Sequence, residues 1–207
     1  MFIWSWLMGL DCLLEINTTQ TKVFFTSDTH FGHSNIIKYC QRPFNSAEHM
    51  DEVLINNWNE VVSPQDIVFH LGDFCFGSDK EWIKILQRLN GTKYLILGNH
   101  DLKKIANSNQ IKDYFADINM QMRVVVDKQK MLLNHYPFLC FEGGYQNVWQ
   151  LFGHVHSSKH STGLDKERLV HLFPTQYDVG VDNNNYRPVS FAQVSQIITE
   201  QQANAHK

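Results

Sequence analysis

The chain has 207 residues, of which 43% are hydrophobic and 19% are charged, a composition typical of a globular protein with a well-packed core. Its 18 basic and 21 acidic residues give a net charge of −3, and no block of like charge occurs. A protein that binds nucleic acid by neutralising many phosphates is expected to be more basic, so an extensive nucleic-acid surface is disfavoured. A small nucleotide substrate remains compatible with this composition.

The first 20 residues are predicted to form an extra strand or hairpin arm in front of a main domain spanning residues 21–207; a remnant of translation from an upstream start codon is the alternative. Asp11 interrupts their apolar run, and no basic region precedes it. The run is also shorter than the roughly 20 residues that cross a bilayer. We therefore expect neither a signal peptide nor a membrane span, while interfacial contact with a membrane stays open.

The four cysteines are far apart in the chain, at Cys12, Cys40, Cys75 and Cys140. They form no Cys-x-x-Cys pair, and none stands beside a histidine at the spacing of a zinc site. A chain of this length can bury a core without disulfides. The pattern therefore predicts free thiols and a reducing, cytoplasmic location.

Strands and helices alternate in the first half of the chain. Apolar runs bounded by turn residues predict strands, and apolar residues with a period of three to four predict helices. Asn45 and Glu48 are spaced like a capping box at the start of one helix, and Asn90-Gly91 ends the other. The predicted order is strand 22–26, helix 46–62, strand 67–71, helix 79–89 and strand 94–97.

The second half of the chain is predicted to consist mostly of strands, followed by one helix that begins after Ser190. The predicted strands cover residues 120–126, 131–134, 149–152, 169–173 and 177–181. Alternation followed by a run of strands indicates an α/β fold in which two packed β-sheets are flanked by helices in a single domain.

Residues of the types that bind metals follow most of the predicted strands. In an extended segment, residues two apart point to the same side, so the Asp-x-His and His-x-His pairs can each hold one ion. Ligands of α/β sheets collect outside the carboxyl ends of the strands. Any single block is also compatible with an ordinary turn, but the repetition favours a metal site. The residues are Asp28, His30, Asp73, Asn99, His100, His135, His154 and His156.

Five short blocks together resemble the signature of calcineurin-like metallophosphoesterases. In chain order they are DTHFGH (28–33), GD (72–73), GNHD (98–101), the lone His135 and GHVH (153–156). The resemblance spans residues 23–182, and the segment DTHFGHSNIIKYCQRPF resembles a small bacterial and phage-type branch whose substrates are poorly defined. It implies the two-sheet fold expected above and a phosphoesterase activity.

The resemblance also implies two divalent metal ions. Oxygen and imidazole ligands without a thiolate suit manganese, which we favour, or iron, zinc or nickel. Two such ions would attract a phosphate ester and stabilise the charge of its transition state. By resemblance, one ion is held by Asp28, His30 and His156, the other by Asn99, His135 and His154, and Asp73 bridges both.

The remaining polar residues of these blocks are expected to act on the substrate. By resemblance, His100 is the general acid for the leaving oxygen or a hydrogen-bond donor to the phosphate, and Asp101 orients its imidazole. His33, Asn35 and Arg42 are candidates for substrate contact, although an Arg before Pro is also a common turn residue. His70 is predicted to pack within the sheet. His49, His160, His171 and His206 match no block and are expected to be surface or structural residues.

The sequence thus predicts a di-metal hydrolase of phosphate esters. We expect a phosphodiesterase that acts on a small nucleotide-type substrate through a metal-bridging hydroxide. One alternative is a phosphomonoesterase of small metabolites, since the same metal centre serves both reactions. The other is a metal-binding scaffold without catalysis, which the presence of both Asn99 and His100 disfavours.

Overall fold

Two β-sheets of five strands each form the centre of the computed structural model, which describes residues 13–157 and 166–205. The strands, numbered in chain order, are β1 (Leu13–Ile16), β2 (Val23–Thr26), β3 (Ile67–His70), β4 (Thr92–Ile96), β5 (Asp117–Asn119), β6 (Gln121–Val126), β7 (Gln129–Asn134), β8 (Trp149–Phe152), β9 (Gln176–Asp178) and β10 (Val189–Ser190). The helices are α1 (Ser34–Tyr39), α2 (Ala47–Val61), α3 (Asp79–Leu86), α4 (Leu102–Asn107), α5 (Asn109–Lys112) and α6 (Phe191–Ala205).

The first sheet has the strand order β10-β2-β3-β4-β5, and the second has the order β1-β6-β7-β8-β9. Strands β2 to β5 of the first sheet are parallel, and β10 is antiparallel to β2. In the second sheet β7, β8 and β9 are parallel to one another. The carboxyl ends of β2, β3 and β4 therefore lie at one edge of the first sheet, and those of β7 and β8 lie at one edge of the second.

The first sheet is buried on both of its faces, which explains why its strands are apolar without alternation. Phe24, Val68 and Leu95 point to the side where α2 and α3 pack, with Trp58 and Trp82 in the same core cluster. The opposite face packs against the second sheet through a second cluster, which contains Phe25, Phe69, Ile96, Val124, Leu133 and Leu151. The α/β fold of two packed sheets flanked by helices in one domain is confirmed.

The bounds of helices α2 and α3 differ from the predicted ones by a few residues. Helix α2 begins at Ala47 and is capped by Ser46, whose hydroxyl oxygen accepts a hydrogen bond from the N–H of His49 at 3.1 Å, so the predicted cap at Asn45 was wrong by one residue. Helix α3 ends at Leu86, three residues before the predicted end. The buried Leu89 beyond it extends the apolar pattern past the last helical hydrogen bond.

The predicted strand 169–173 is instead part of a 3₁₀ helix, Lys166–His171. A short apolar run does not distinguish a strand from a helical turn by its periodicity. Val170 is 79% exposed, so this run does not supply a buried strand of the core. Strand β9 begins later, at Gln176, after Pro174.

Part of the amino-terminal segment belongs to the second sheet, because β1 pairs in parallel with β6 as an edge strand. The division of the chain at residue 20 stays a prediction. Residues 1–12 lie outside the described residues, as do Cys12, His160 and His206. Of the helices in the described ranges, none is both long and apolar enough to cross a membrane.

Candidate metal centre

The loops that follow strands of both sheets meet at one place. The loops after β2, β3 and β4 carry Asp28 and His30, then Asp73, then Asn99 and His100. The loops after β7 and β8 of the second sheet carry His135 and the pair His154 and His156. A backbone hydrogen bond from the N–H of His154 to Oδ2 of Asp28, 2.9 Å long, joins the loops of the two sheets.

Two groups made up of predicted ligands are each close enough to hold a cation. Asp28, His30 and His156 form the first group, and Asp73, His135 and His154 form the second. Within each group the potential ligand atoms all lie within 4.8 Å of one another. Asn99 joins the second group, because its Oδ1 is 3.3 Å from Nε2 of His135. The structure thus brings together all seven predicted metal ligands.

Asp73 lies between the two groups. Its Oδ2 is 3.6 Å from Nε2 of His30 in the first group and 3.6 Å from Nε2 of His135 in the second. Its other oxygen, Oδ1, accepts a hydrogen bond from the backbone N–H of His100 at 3.0 Å. One carboxylate oxygen of Asp73 therefore faces both groups while the other is held by the backbone.

Unsatisfied polar atoms at this site fit a bound cation. Oδ1 of Asp28 and both ring nitrogens of His30 are buried, and none of them has a hydrogen-bond partner within residues 13–157 and 166–205. Buried polar atoms are normally paired, because an unpaired one costs the free energy of its lost hydration. A divalent cation would supply the missing partner, and the oxygen and nitrogen donors suit such an ion.

The backbone of the site is strained at the same positions. A positive φ is uncommon for residues with a side chain and costs roughly 1–2 kcal/mol for each residue, and such strain clusters at functional sites. Five of the predicted ligands have φ angles between 45° and 71°, namely Asp28, His30, Asp73, His154 and His156.

Two glycines of the site are required by close approach. A Cβ on Gly98 would collide with the carboxylate and backbone of Asp73, and a Cβ on Gly153 would collide with Ser27 and the carboxylate of Asp28. These glycines allow the backbones of neighbouring loops to lie against the two aspartates.

The histidines of the first group differ in protonation. Burial lowers the pKa of His30 well below its usual value, and the nearby His156 and Arg42 lower it further. Burial also lowers the pKa of His156, but its hydrogen bonds to Asp182 and Cys40 and the charges of Asp28 and Asp182 together outweigh this and raise the pKa to about 11. His30 is therefore neutral, as a metal ligand must be, whereas a cation at His156 would have to displace a proton.

Arg42, a candidate for substrate contact, is buried, and its guanidinium is bound by Asp182 and by backbone carbonyl oxygens; a role toward the substrate stays a prediction. Its guanidinium donates two hydrogen bonds to Asp182, from Nε to Oδ1 at 2.8 Å and from Nη2 to Oδ2 at 2.7 Å. It also donates to the carbonyl oxygens of Asp28 at 2.7 Å and Thr29 at 3.0 Å. Arg42 thus holds the loop that carries the first pair of ligands.

Asp182 was not identified from the sequence, although it contacts a predicted ligand. Its Oδ2 accepts a hydrogen bond from Nδ1 of His156 at 2.7 Å, which leaves Nε2 of that ring for a cation. Burial raises the pKa of Asp182, but the charges of Arg42 and His156 and their hydrogen bonds to the carboxylate together outweigh this, so the pKa is lowered. Cys40 lies near the same two side chains, but Asp182 is already neutralised by Arg42, which argues against a third cation there.

Asp101 contacts the backbone of the site. Its carboxylate accepts hydrogen bonds from the N–H groups of Asp73 at 2.7 Å, Phe74 at 3.0 Å and Gly98 at 2.9 Å. Among the described residues, Asp101 makes no hydrogen bond to the imidazole of His100, so the expected orienting contact is not present. Burial and the charge of Asp73 raise the pKa of Asp101 to about 7. Asp101 joins the loops after β3 and β4.

His100 lies at the open side of the centre. Its side chain is 41% exposed, and its Nε2 is 3.9 Å from Oδ2 of Asp73. Its ring lies 5.0 Å from that of Phe76, which in turn stacks on His33 with the ring centres 3.9 Å apart. Phe76 was missed in the sequence because it belongs to no block. Asn35, the third candidate for substrate contact, is an exposed residue of α1.

Two cavities adjoin the centre. The first, of about 340 Å³, is lined by His100, Phe76 and residues of α4, and we call it the His100 cavity. The second, of about 440 Å³, is lined by His154, Tyr136 and the apolar Leu139, Leu169 and Leu172, and we call it the Tyr136 cavity. The Tyr136 hydroxyl is 3.5 Å from Oδ1 of Asn99.

The other histidines lie outside the ligand groups. His70 is buried in β3, where Nε2 contacts the Thr29 hydroxyl at 2.9 Å and Nδ1 accepts a hydrogen bond from the N–H of Gly72. His49 is exposed on α2. His171 is also exposed, although it lies at the wall of the Tyr136 cavity.

Comparisons with known proteins agree with this geometry. Residues 21–189 match the calcineurin-like phosphoesterase family. The uncharacterized protein MJ1445 of Methanocaldococcus jannaschii is 34% identical, over 87% of this chain and 93% of that protein. The gene 66 protein of Mycobacterium phage D29 is 28% identical, over 74% and 87%. The crystal structure of AQ665, a protein of unknown function from Aquifex aeolicus, superposes with a TM-score of 0.65 and 27% identity, over 86% and 99%.

Proposed function

Since this chain belongs to the calcineurin-like phosphoesterase family and is a metal-dependent phosphoesterase, we propose that it is a two-metal phosphodiesterase for small nucleotide-type substrates. The position of Asp73 is the observation that carries this proposal. Its Oδ2 lies 3.6 Å from one histidine of each ligand group, the position expected of a carboxylate shared by two ions. In our proposal Asn99 completes the second ligand group.

The two cavities favour a diester over a monoester as the substrate. A phosphodiester carries two organic groups on its phosphorus, and each cavity is lined by a histidine of the site, His100 in the first and His154 in the second. Their volumes, about 340 and 440 Å³, fall in the usual range for small-molecule sites. A monoester would occupy only one of them.

The side chains of the centre have distinct roles in the proposed hydrolysis. When bound, a pair of divalent ions would neutralise phosphoryl charge and activate a water molecule. The water oxygen forms the new bond to phosphorus, and the bond to the leaving oxygen breaks with its electron pair on that oxygen. His100 donates a proton to the leaving oxygen, for which its exposed side chain is suitably placed. Asp101 and Arg42 keep the loops in position through their backbone contacts.

We keep manganese as the favoured ion, with iron, zinc and nickel as alternatives, because the donors are carboxylate, amide and imidazole.

A reducing, cytoplasmic location is supported by Cys40, Cys75 and Cys140, which are all free thiols.

The first prediction concerns Asp73. After metal reconstitution, we expect two ions per chain. Asp73→Asn should lose more of its metal and of its turnover than a variant that lacks any single terminal ligand, because it removes the charge that both ions share. Elemental analysis and hydrolysis of bis(4-nitrophenyl) phosphate measure the two effects. Asp113→Asn, which removes the same charge from an exposed position, is the matched control.

The outcomes separate the alternatives. One ion per chain in the reconstituted protein, or full metal content and normal turnover in Asp73→Asn, would contradict the shared carboxylate. Faster hydrolysis of 4-nitrophenyl phosphate than of the diester would select a phosphomonoesterase. Two bound ions without hydrolysis of any ester would select the metal-binding scaffold.

A further inference from the structure

The His100 cavity carries positive charge next to the proposed general acid. Lys103 and Lys104, in the first turn of α4, line it together with Asp79. Lys104 Nζ is 3.2 Å from Oδ1 of Asp79, so those two charges compensate each other. Among the described residues no carboxylate lies within ion-pair distance of Lys103, which is exposed. The cavity therefore has one uncompensated positive charge, that of Lys103.

The position of His100 determines which part of a substrate enters this cavity. A general acid must lie within hydrogen-bond reach of the oxygen that it protonates. The leaving oxygen is therefore next to His100, and the group attached to that oxygen extends into the cavity that His100 and Phe76 line. The Tyr136 cavity, whose lining includes Leu139, Leu169 and Leu172 together with Arg168 and His171, is left for the group that stays on the phosphorus.

We propose that the His100 cavity binds a phosphate carried by the leaving group, so that the substrate is a phosphodiester whose departing nucleoside bears a second phosphate. Lysine recognises phosphate as a point charge, and Lys103 is the side chain available for this contact. This inference rests on the proposed phosphodiesterase function. It adds a substrate class and identifies Lys103 as a specificity-determining residue.

The test compares three dinucleotides with the manganese-loaded protein. They are ApA without a terminal phosphate, pApA with a 5′-phosphate and ApAp with a 3′-phosphate. The extra phosphate lies at the 5′ end of pApA and at the 3′ end of ApAp. Chromatography of the products shows which nucleoside leaves. We expect kcat/KM to be about five- to tenfold higher than for ApA when the phosphate is on the leaving nucleoside, and the ratio to decrease with salt.

Two variants assign this preference to the cavity. In Lys103→Ala the ratio of kcat/KM between the favoured dinucleotide and ApA should fall to about one, with the change mainly in KM. Lys80→Ala removes the same charge from an exposed position of α3 that does not line the cavity, and it should keep the ratio. Because a ratio is measured, a general loss of active protein in either variant does not affect it.

Each outcome bears on the proposal. An equal ratio in wild type and Lys103→Ala, or equal rates on all three dinucleotides, overturns the inference while leaving the phosphodiesterase proposal intact. Cleavage of bis(4-nitrophenyl) phosphate with all three dinucleotides inert also overturns it. Absence of hydrolysis of every diester contradicts the phosphodiesterase proposal itself, and this inference with it.

Discussion

His100 differs from the neighbouring histidines in its exposure and in the contacts of its ring. The side chains of His30 and His135 are 2% and 1% exposed, whereas that of His100 is 41% exposed. Only its backbone N–H is tied to Asp73 by a hydrogen bond. Because His100 belongs to neither ligand group, its imidazole can contact a substrate without giving up a bond to a metal ion.

Replacement of His100 should affect substrates according to their leaving groups. General acid catalysis contributes roughly 10²- to 10⁴-fold, so His100→Asn should lose about that much on a nucleotide diester with an alkoxide leaving group. The loss on a nitrophenyl ester should be much smaller, because nitrophenolate leaves without a proton. Steady-state kinetics on both substrates, with elemental analysis to show that the metal content is retained, measure this difference. Equal losses on both would instead indicate phosphate positioning, and unchanged rates would leave His100 without a catalytic role.

Helix α2 holds the turn that follows the first ligand pair. Asp51 of this helix accepts hydrogen bonds from the N–H of Gly32, which has a φ of 73°, at 2.9 and 3.1 Å. Burial raises the pKa of Asp51 from 3.8 to about 6, although the Gly32 hydrogen bond opposes this. The folded protein therefore binds this proton more tightly than the unfolded chain does.

This difference in pKa predicts how stability depends on pH. Between about pH 4 and 6 the folded state retains the proton of Asp51 longer, so its contribution to the free energy of unfolding decreases as pH rises. Asp51→Asn lacks this titration. As pH rises from about 4 to 6, the free energy of unfolding of the variant relative to wild type should therefore increase by about 1 kcal/mol, a figure reduced for the partial exposure of Asp51. Urea unfolding of the metal-free proteins at a series of pH values measures it, with Asp113→Asn as the control. A difference between variant and wild type that does not change with pH would contradict the raised pKa.

The candidate metal centre lies between the two sheets of the molecule. Asp28, His30, Asp73 and Asn99 come from loops of the first sheet, and the remaining predicted ligands come from loops of the second. Away from the site the sheets are joined by their shared apolar cluster. Bound ions would thus add a polar connection at one end of an interface that is otherwise apolar.

Metal binding should therefore stabilise the whole domain. A ligand that binds only the folded state at about 100 times its Kd adds about 2.7 kcal/mol, which for a chain of this size raises Tm by roughly 5–10 °C. Calorimetry of the manganese-loaded protein and of the chelated protein should show this shift. The shift should be smaller in His135→Ala, which lacks one ligand from the second sheet, and unchanged in Asp113→Asn. An identical Tm with and without metal would show that no ion joins the sheets.

The sequence by itself determined the residues of the centre and the layers of the fold, because both follow from local patterns. Each strand of the first sheet that leads to the centre is a short apolar run, and a polar block follows it directly. A parallel sheet then brings the ends of these runs to one edge. The resemblance, rather than this pattern, grouped His156 with Asp28 and His154 with Asn99 and His135, and their role as ligands stays a prediction.

The tertiary structure alone decided which groups support the centre, because those contacts join residues far apart in the chain. Arg42 and Asp182 are 140 residues apart, and no local pattern indicates that they form a buried ion pair behind His156. The backbone contacts of Asp101 likewise depend on how the loops after β3 and β4 pack. The His100 cavity is formed jointly by residues of α4 and of the loop that contains Phe76, and this packing places Lys103 in the same cavity as the proposed general acid.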